Sequence, residues 1–143
     1  MTYNPISFLN TFRRDQSGAV AIEFVLIAPL LFGLVFGIIV IGYFIGVSHS
    51  VAQLATDAVR ASVAGLDMQE RTELAAAYLA DASLKYPLLI QESVSPQIIT
   101  SDANPPSMTV NVTYEIDGSV LAIANSFLGL NIADIKGSSF LAY

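Results

Sequence analysis

The chain has no cysteine and only one histidine in 143 residues. The first absence excludes a disulfide framework and any thiolate metal site. The second excludes a zinc cluster built on histidines. Basic residues are also scarce: 6 Lys and Arg stand against 12 Asp and Glu, a formal net charge of −6. Phosphate binding needs clustered cations, so this balance argues against a nucleic-acid partner. No glycine-rich loop cradles a phosphate, and no G-x-S-x-G surrounds a serine. The carboxylates are scattered, and their spacing imposes no metal site and no acid/base pair. No catalytic, cofactor-binding or metal-ligating residue is therefore expected, and the chain reads as a non-enzyme.

What is present is apolar. Hydrophobic residues make up 54% of the chain and the mean hydropathy is +0.62. From Phe24 to Val47 no residue carries a charge. As a helix, this run is roughly 36 Å long. That suffices to cross a bilayer core of ~30 Å with some tilt. A secretory signal peptide fits poorly, because its apolar core is ~7–15 residues and ends at a small-residue cleavage motif. Here the run passes into Ser48-His49-Ser50. Arg13 and Arg14 precede it and no basic cluster follows, so the positive-inside rule places the N-terminus in the cytoplasm.

Glu23 stands at the head of the run. A carboxylate there is costly to bury. It either lies at headgroup level or is paired. A cut between Gly18 and Ala19 would make Glu23 the fifth residue of the new chain. The new α-amine of Ala19, charged near neutral pH, could then pair with it.

Arg13-Arg14-Asp15-Gln16-Ser17-Gly18-Ala19-Val20-Ala21-Ile22-Glu23-Phe24, followed by Ala28-Pro29-Leu30-Leu31, resembles the start of a TadE-like pseudopilin. These are minor-pilin-type proteins of the bacterial tight-adherence (Flp, type IVb) pilus systems. The resemblance implies cleavage after Gly18 by an aspartyl prepilin peptidase. It also implies a docking role for Glu23 and Phe24 in assembly with other pilins or pseudopilins and the pilus machinery. The implied setting is the bacterial inner membrane, crossed once, with the C-terminal head outside the cytoplasm. Major Flp pilins resemble the same start but are much shorter and typically carry Tyr after the Glu. Phe24 and the long C-terminal region favour the TadE-like side.

Within the run, Pro29 removes the hydrogen bond its N–H would give to Val25, so a kink is expected there. Gly33/Gly37 and Gly42/Gly46 recur at four-residue spacing, which permits close helix packing. Beyond it, Val47, Val51, Leu54, Ala55, Ala58, Val59, Ser62, Val63 and Leu66 keep helical spacing. One helix is thus expected from Ala19 to Leu66. His49 reads as an interfacial polar residue.

Asp67 and Glu70 form a capping-box pattern ahead of a second helix, Met68 to Tyr86, which Pro87 ends. Leu88 to Thr100 holds a short strand. Met108 to Asp117 alternates apolar and polar residues and is the clearest strand. Asn111-Val112-Thr113 within it reads as alternation, not as a glycosylation acceptor. Ser119 to Leu130 includes a short helix, and Ile132 to Tyr143 returns as an edge strand. The expected fold class is α+β, a long N-terminal membrane helix continuing into a small head with a second helix and a short antiparallel sheet. The expected division is a leader at 1–18, a transmembrane and assembly helix at 19–47, and an extracytoplasmic head at 48–143. Two other readings remain open: an unprocessed single-pass protein whose head binds an envelope partner, and a small membrane-tethered enzyme.

Overall fold

The computed structural model describes residues 17–143. The leader up to Gln16, with Arg13 and Arg14, lies outside the described residues. The architecture is α+β, as the sequence predicts. Helix α1 spans Ser17–Ser62, α2 Met68–Ala80 and α3 Ala82–Lys85. A 3-10 turn at Gln91–Ser93 leads into strand β1, Val94–Ser101. Strand β2 is Ser107–Tyr114, helix α4 is Val120–Leu128 and strand β3 is Ile135–Ala142. The chain divides into two units, one up to Ile39 and a compact one from Val40 to Tyr143.

The first unit is a single run of α1. Val20, Ile22, Phe24, Leu26, Leu30, Leu31, Phe32 and Leu34 are all exposed. The helix continues unbroken through Pro29.

The compact unit is built on a three-stranded antiparallel sheet in the order β1-β2-β3. Val94 pairs with Tyr114 and Ser101 with Ser107 across β1 and β2. Ser107 pairs with Ala142 and Tyr114 with Ile135 across β2 and β3. The return of Ile132 to Tyr143 beside the central strand is thereby observed. In β2 the side chains of Met108, Val110, Val112 and Tyr114 are fully buried, and the residues between them are half-buried. Asn111 is one of those between, and its Oδ1 accepts a hydrogen bond from Ser138 Oγ at 2.7 Å. Pro96 sits in β1, an edge strand, where a missing N–H is tolerated.

Gly137 shows which side of the sheet meets the helix. It pairs with Val112, so the two residues share a sheet face. A Cβ on Gly137 would lie 2.9 Å from the Val51 carbonyl oxygen and 3.1 Å from Ala52 Cα. Only a glycine lets the β3 backbone approach α1 that closely. The buried stripe of α1 answers the sheet: Val47, Val51, Leu54, Ala55, Ala58, Val59 and Ser62 are each at most 2% exposed. Their three- and four-residue spacing is one helix face.

Two boundaries differ from expectation. Helix α1 ends at Ser62, not Leu66; Val63 is exposed and Leu66 is 91% exposed. The chain turns because Gly65 N–H donates to Ser62 O at 3.1 Å and Arg71 Nε donates to Gly65 O at 3.0 Å. A Cβ on Gly65 would meet the Arg71 backbone N at 2.7 Å, so the first turns of α2 lie against that glycine. The second helix is also interrupted, at Asp81, before α3. The Gln91 side chain spans the break: its Nε2 donates to Leu79 O at 3.2 Å and its Oε1 accepts from Ser83 N–H at 3.1 Å. Those are the end-of-helix groups that would otherwise lack partners.

The cap at the start of α2 is present in modified form. Asp67 Oδ1 accepts from Glu70 N–H at 2.8 Å. Glu70 Oε2 accepts from Leu66 N–H, one residue before the cap, also at 2.8 Å. The far end of the chain is fastened nearby. Tyr143 packs its ring under the Arg71 guanidinium at 3.8 Å, and its hydroxyl hydrogen-bonds Ser62 Oγ.

Candidate assembly site

The residues singled out by sequence all lie on α1. Gly18 is the second residue of the described helix, and its Cβ direction is open. The backbone of Ala19 is helical, and Glu23 follows four residues later. Residues four apart share a helix face, so the Ala19 backbone and the Glu23 side chain lie on one side. Glu23 is exposed, and Phe24 is 68% exposed. Gly33 and Gly37 sit one turn apart, and nothing lies within 4 Å of a Cβ built on either.

The second glycine pair has two different neighbourhoods. Gly42 is open, but a Cβ on Gly46 would come within 2.8 Å of Leu88 Cδ1. Gly46 is thus used inside the compact unit, where Leu88 rests over the helix. Val40 and Val47, from the same apolar run, are buried in that unit at 3% and 0% exposure. The apolar residues of α1 that the chain leaves uncovered are therefore concentrated in Val20–Ile39. Twenty residues of helix are roughly 30 Å long, close to the thickness of a bilayer core.

Sequence reasoning did not find two features. Tyr86 Oη donates to Asp57 Oδ2 at 2.7 Å. Burial, then this hydrogen bond and the neighbouring Tyr78, push the Tyr86 phenol well above its ordinary pKa. Asp57 also faces Arg60 at 3.6 Å. His49 lies nearby on the same polar surface, and its Nε2 accepts from Gln53 Nε2 at 2.8 Å. Asp57 and Arg60 lie within one helical turn of each other, but only tertiary structure brings Tyr86 to them. Among the described residues no group of three His, Asp or Glu side chains could hold a metal ion.

The second finding is an apolar groove within the compact unit, of about 560 Å³. Val40, Ile41 and Phe44 form one wall, and Leu130, Ile132 and Ile135 contribute the other. No motif marks it, because its two walls lie far apart in sequence.

One helix long and apolar enough to cross a membrane, joined in sequence to a small α+β unit, defines the class: a protein compatible with a single N-terminal membrane anchor. Residues 18–60 match the model of the family described as TadE-like protein. The match covers less than a third of the chain, overlaps the Gly18–Leu31 part of the motif that carries the resemblance, and runs on along α1. No curated protein and no solved structure matches the chain.

Proposed function

We propose that this protein is a pseudopilin-type component of a bacterial tight-adherence pilus system, acting in assembly through helix packing and not through catalysis. The observation that carries the reading is the TadE-like match, which begins at Gly18 and follows α1. Prepilin peptidase cuts between Gly18 and Ala19 and removes the cytoplasmic leader. The freed α-amine of Ala19 then stands one helical turn from Glu23, and the pair lowers the cost of placing either charge in apolar surroundings. Glu23 and Phe24 dock the subunit. Gly33, Gly37 and Gly42, whose Cβ directions are open, let a neighbouring helix approach closely. The exposed run Val20–Ile39 crosses the inner membrane, and the unit from Val40 onward lies on its outer side. Partners are the membrane, the peptidase, other pilins or pseudopilins, and the pilus assembly machinery.

The test is the intact mass and N-terminal sequence of the protein from membranes containing the peptidase. A chain beginning at Ala19 is expected. A chain beginning at Met1 or Thr2 would remove processing and favour a single-pass anchor whose head binds an envelope partner. A chain carrying Glu23→Ala is expected to insert normally but to drop out of the assembled fraction. Normal assembly of that variant would remove the docking role.

A further inference from the structure

The segment from Gly118 to Ala133 contains no charged residue. It holds α4, capped at its start by Ser119 Oγ, which accepts from Leu121 N–H at 3.2 Å. Gly129 ends it in the left-handed conformation, φ 63°. Leu121 and Ala124 are buried against the compact unit. The opposite side is also apolar: Ile123 is 56% exposed, Phe127 85% and Leu128 48%. A surface helix ordinarily turns a polar face outward. This one presents apolar side chains in both directions.

The segment after α4 leads into the apolar groove. Leu130 and Ile132 form that groove with Val40, Ile41 and Phe44 of α1. Those α1 residues directly follow Ile39, where the uncovered apolar run ends. The polar layer on each side of a bilayer core is ~5–8 Å deep, or about four to five helical residues at ~1.5 Å each. If Val20–Ile39 fills the core, residues 40–44 fall within that layer, and the groove falls there with them.

Irregular backbone tolerates such surroundings only when its polar groups are satisfied within the protein. Asn125 does this for the loop: its Nδ2 donates to Ile132 O at 2.9 Å, and its Oδ1 accepts from Ile132 N–H at 3.0 Å. One side chain closes both backbone groups of the residue that lines the groove.

We infer that the outer face of α4, with Ile123 and Phe127, and the adjoining groove of Ile41, Phe44, Leu130 and Ile132 form a lipid-contacting surface that seats the head in the outer interface of the membrane. The inference rests on the proposed span of Val20–Ile39. The ligand is the acyl–headgroup boundary, into which an apolar helix face sinks ~5–10 Å. Attraction of an anionic headgroup is not the driving force, because among the described residues the groove is lined by one cation, Lys136, and by one carboxylate, Asp134. Apolar burial supplies the binding, so vesicles of zwitterionic phosphatidylcholine suffice.

The chain has no tryptophan, so single substitutions report without background. Three variants of the full chain are reconstituted in phosphatidylcholine vesicles: Leu31→Trp, Phe127→Trp and Leu66→Trp. Each is quenched by lipid brominated near the headgroup end of the acyl chain, by lipid brominated near its methyl end, and by aqueous acrylamide. For Phe127→Trp, the expected result is strong quenching by the shallow bromolipid, weaker quenching by the deep one, and severalfold less acrylamide quenching than for Leu66→Trp. Leu31→Trp is expected to respond to bromolipid and not to acrylamide. If Leu31→Trp behaves so but Phe127→Trp responds only to acrylamide, the span stands and the lipid contact is overturned. If Phe127→Trp is shielded from both bromolipid and acrylamide, protein covers α4, and the lipid contact is again overturned. If Leu31→Trp itself escapes bromolipid, the span fails and the inference falls with it.

Discussion

One helix in this molecule serves two surroundings. From Val47 to Ser62, α1 buries Val51, Leu54, Ala55 and Ala58 completely beneath the chain's own sheet. From Val20 to Ile39 its side chains are at least as apolar, yet the large ones stay exposed, apart from the half-buried Phe36. The difference lies in what the rest of the chain provides. The C-terminal part carries a strand with a buried alternating face and a glycine that lets the backbone come close. The N-terminal part has no such partner among the described residues; under the proposed function, lipid and other helices cover it. Hydropathy measures the wish to leave water; only tertiary structure shows which apolar residues the chain itself satisfies.

Substitutions that separate the two regions should differ most where burial differs most. Leu54→Ala leaves a cavity under the sheet and is expected to cost ~2–5 kcal/mol in unfolding of the compact unit. Leu31→Ala, on the uncovered run, is expected to leave that transition in place. Equal losses in thermal denaturation of the full chain in detergent would erase the contrast. Gly137→Ala places a Cβ 2.9 Å from the Val51 carbonyl oxygen, and overpacking of this kind costs ~1–3 kcal/mol. Gly33→Ala meets open space, so its effect is expected in assembly and not in unfolding. If Gly137→Ala proved neutral in the same melts, the close approach of β3 to α1 would be wrong.

Smaller effects sharpen how the compact unit is fastened. Asp67→Ala removes the oxygen that accepts from Glu70 N–H, a loss of ~1 kcal/mol. No change in melting temperature would mean that Glu70 alone holds the α2 start. Tyr86→Phe removes the hydrogen bond to Asp57 and is expected to cost ~1 kcal/mol at neutral pH. Its pH dependence carries a sign. The folded state raises the Tyr86 pKa above the ordinary value of 10.0. The unfolded chain therefore loses this proton first, and the stability tied to it is complete below about pH 10 and declines as pH rises further. Denaturant titrations at pH 8 and pH 11 should show a steeper loss in the native protein than in Tyr86→Phe. Parallel slopes would remove the linkage.

Much of this fold was legible in the sequence because its signals are local. The uncharged run announces α1, the alternation from Met108 announces β2, and Asp67 with Glu70 announces the start of α2. The missed features depend on distant residues. Val63 and Leu66 extend the apolar spacing of α1, but Gly65 and Arg71 turn the chain before they can be buried. Asp81 interrupts a good helical sequence because Gln91 satisfies the groups freed there. Leu88 packs over Gly46, a contact that the four-residue glycine spacing does not announce. In the candidate assembly site, the positions of Gly18, Glu23 and Gly33 along one helix follow from sequence. The groove at Ile41 and Phe44 does not, because its other wall arrives from Leu130 and Ile132.

The most direct test of the contrast uses the absence of cysteine. Single substitutions Leu31→Cys and Leu66→Cys are introduced into the full chain, and sealed membranes are treated with a membrane-impermeant maleimide. With the outer face exposed, Leu66→Cys should label rapidly and Leu31→Cys should stay unlabelled. Prompt labelling of Leu31→Cys in the same membranes would show that water reaches the uncovered half of α1, and would contradict its burial in lipid.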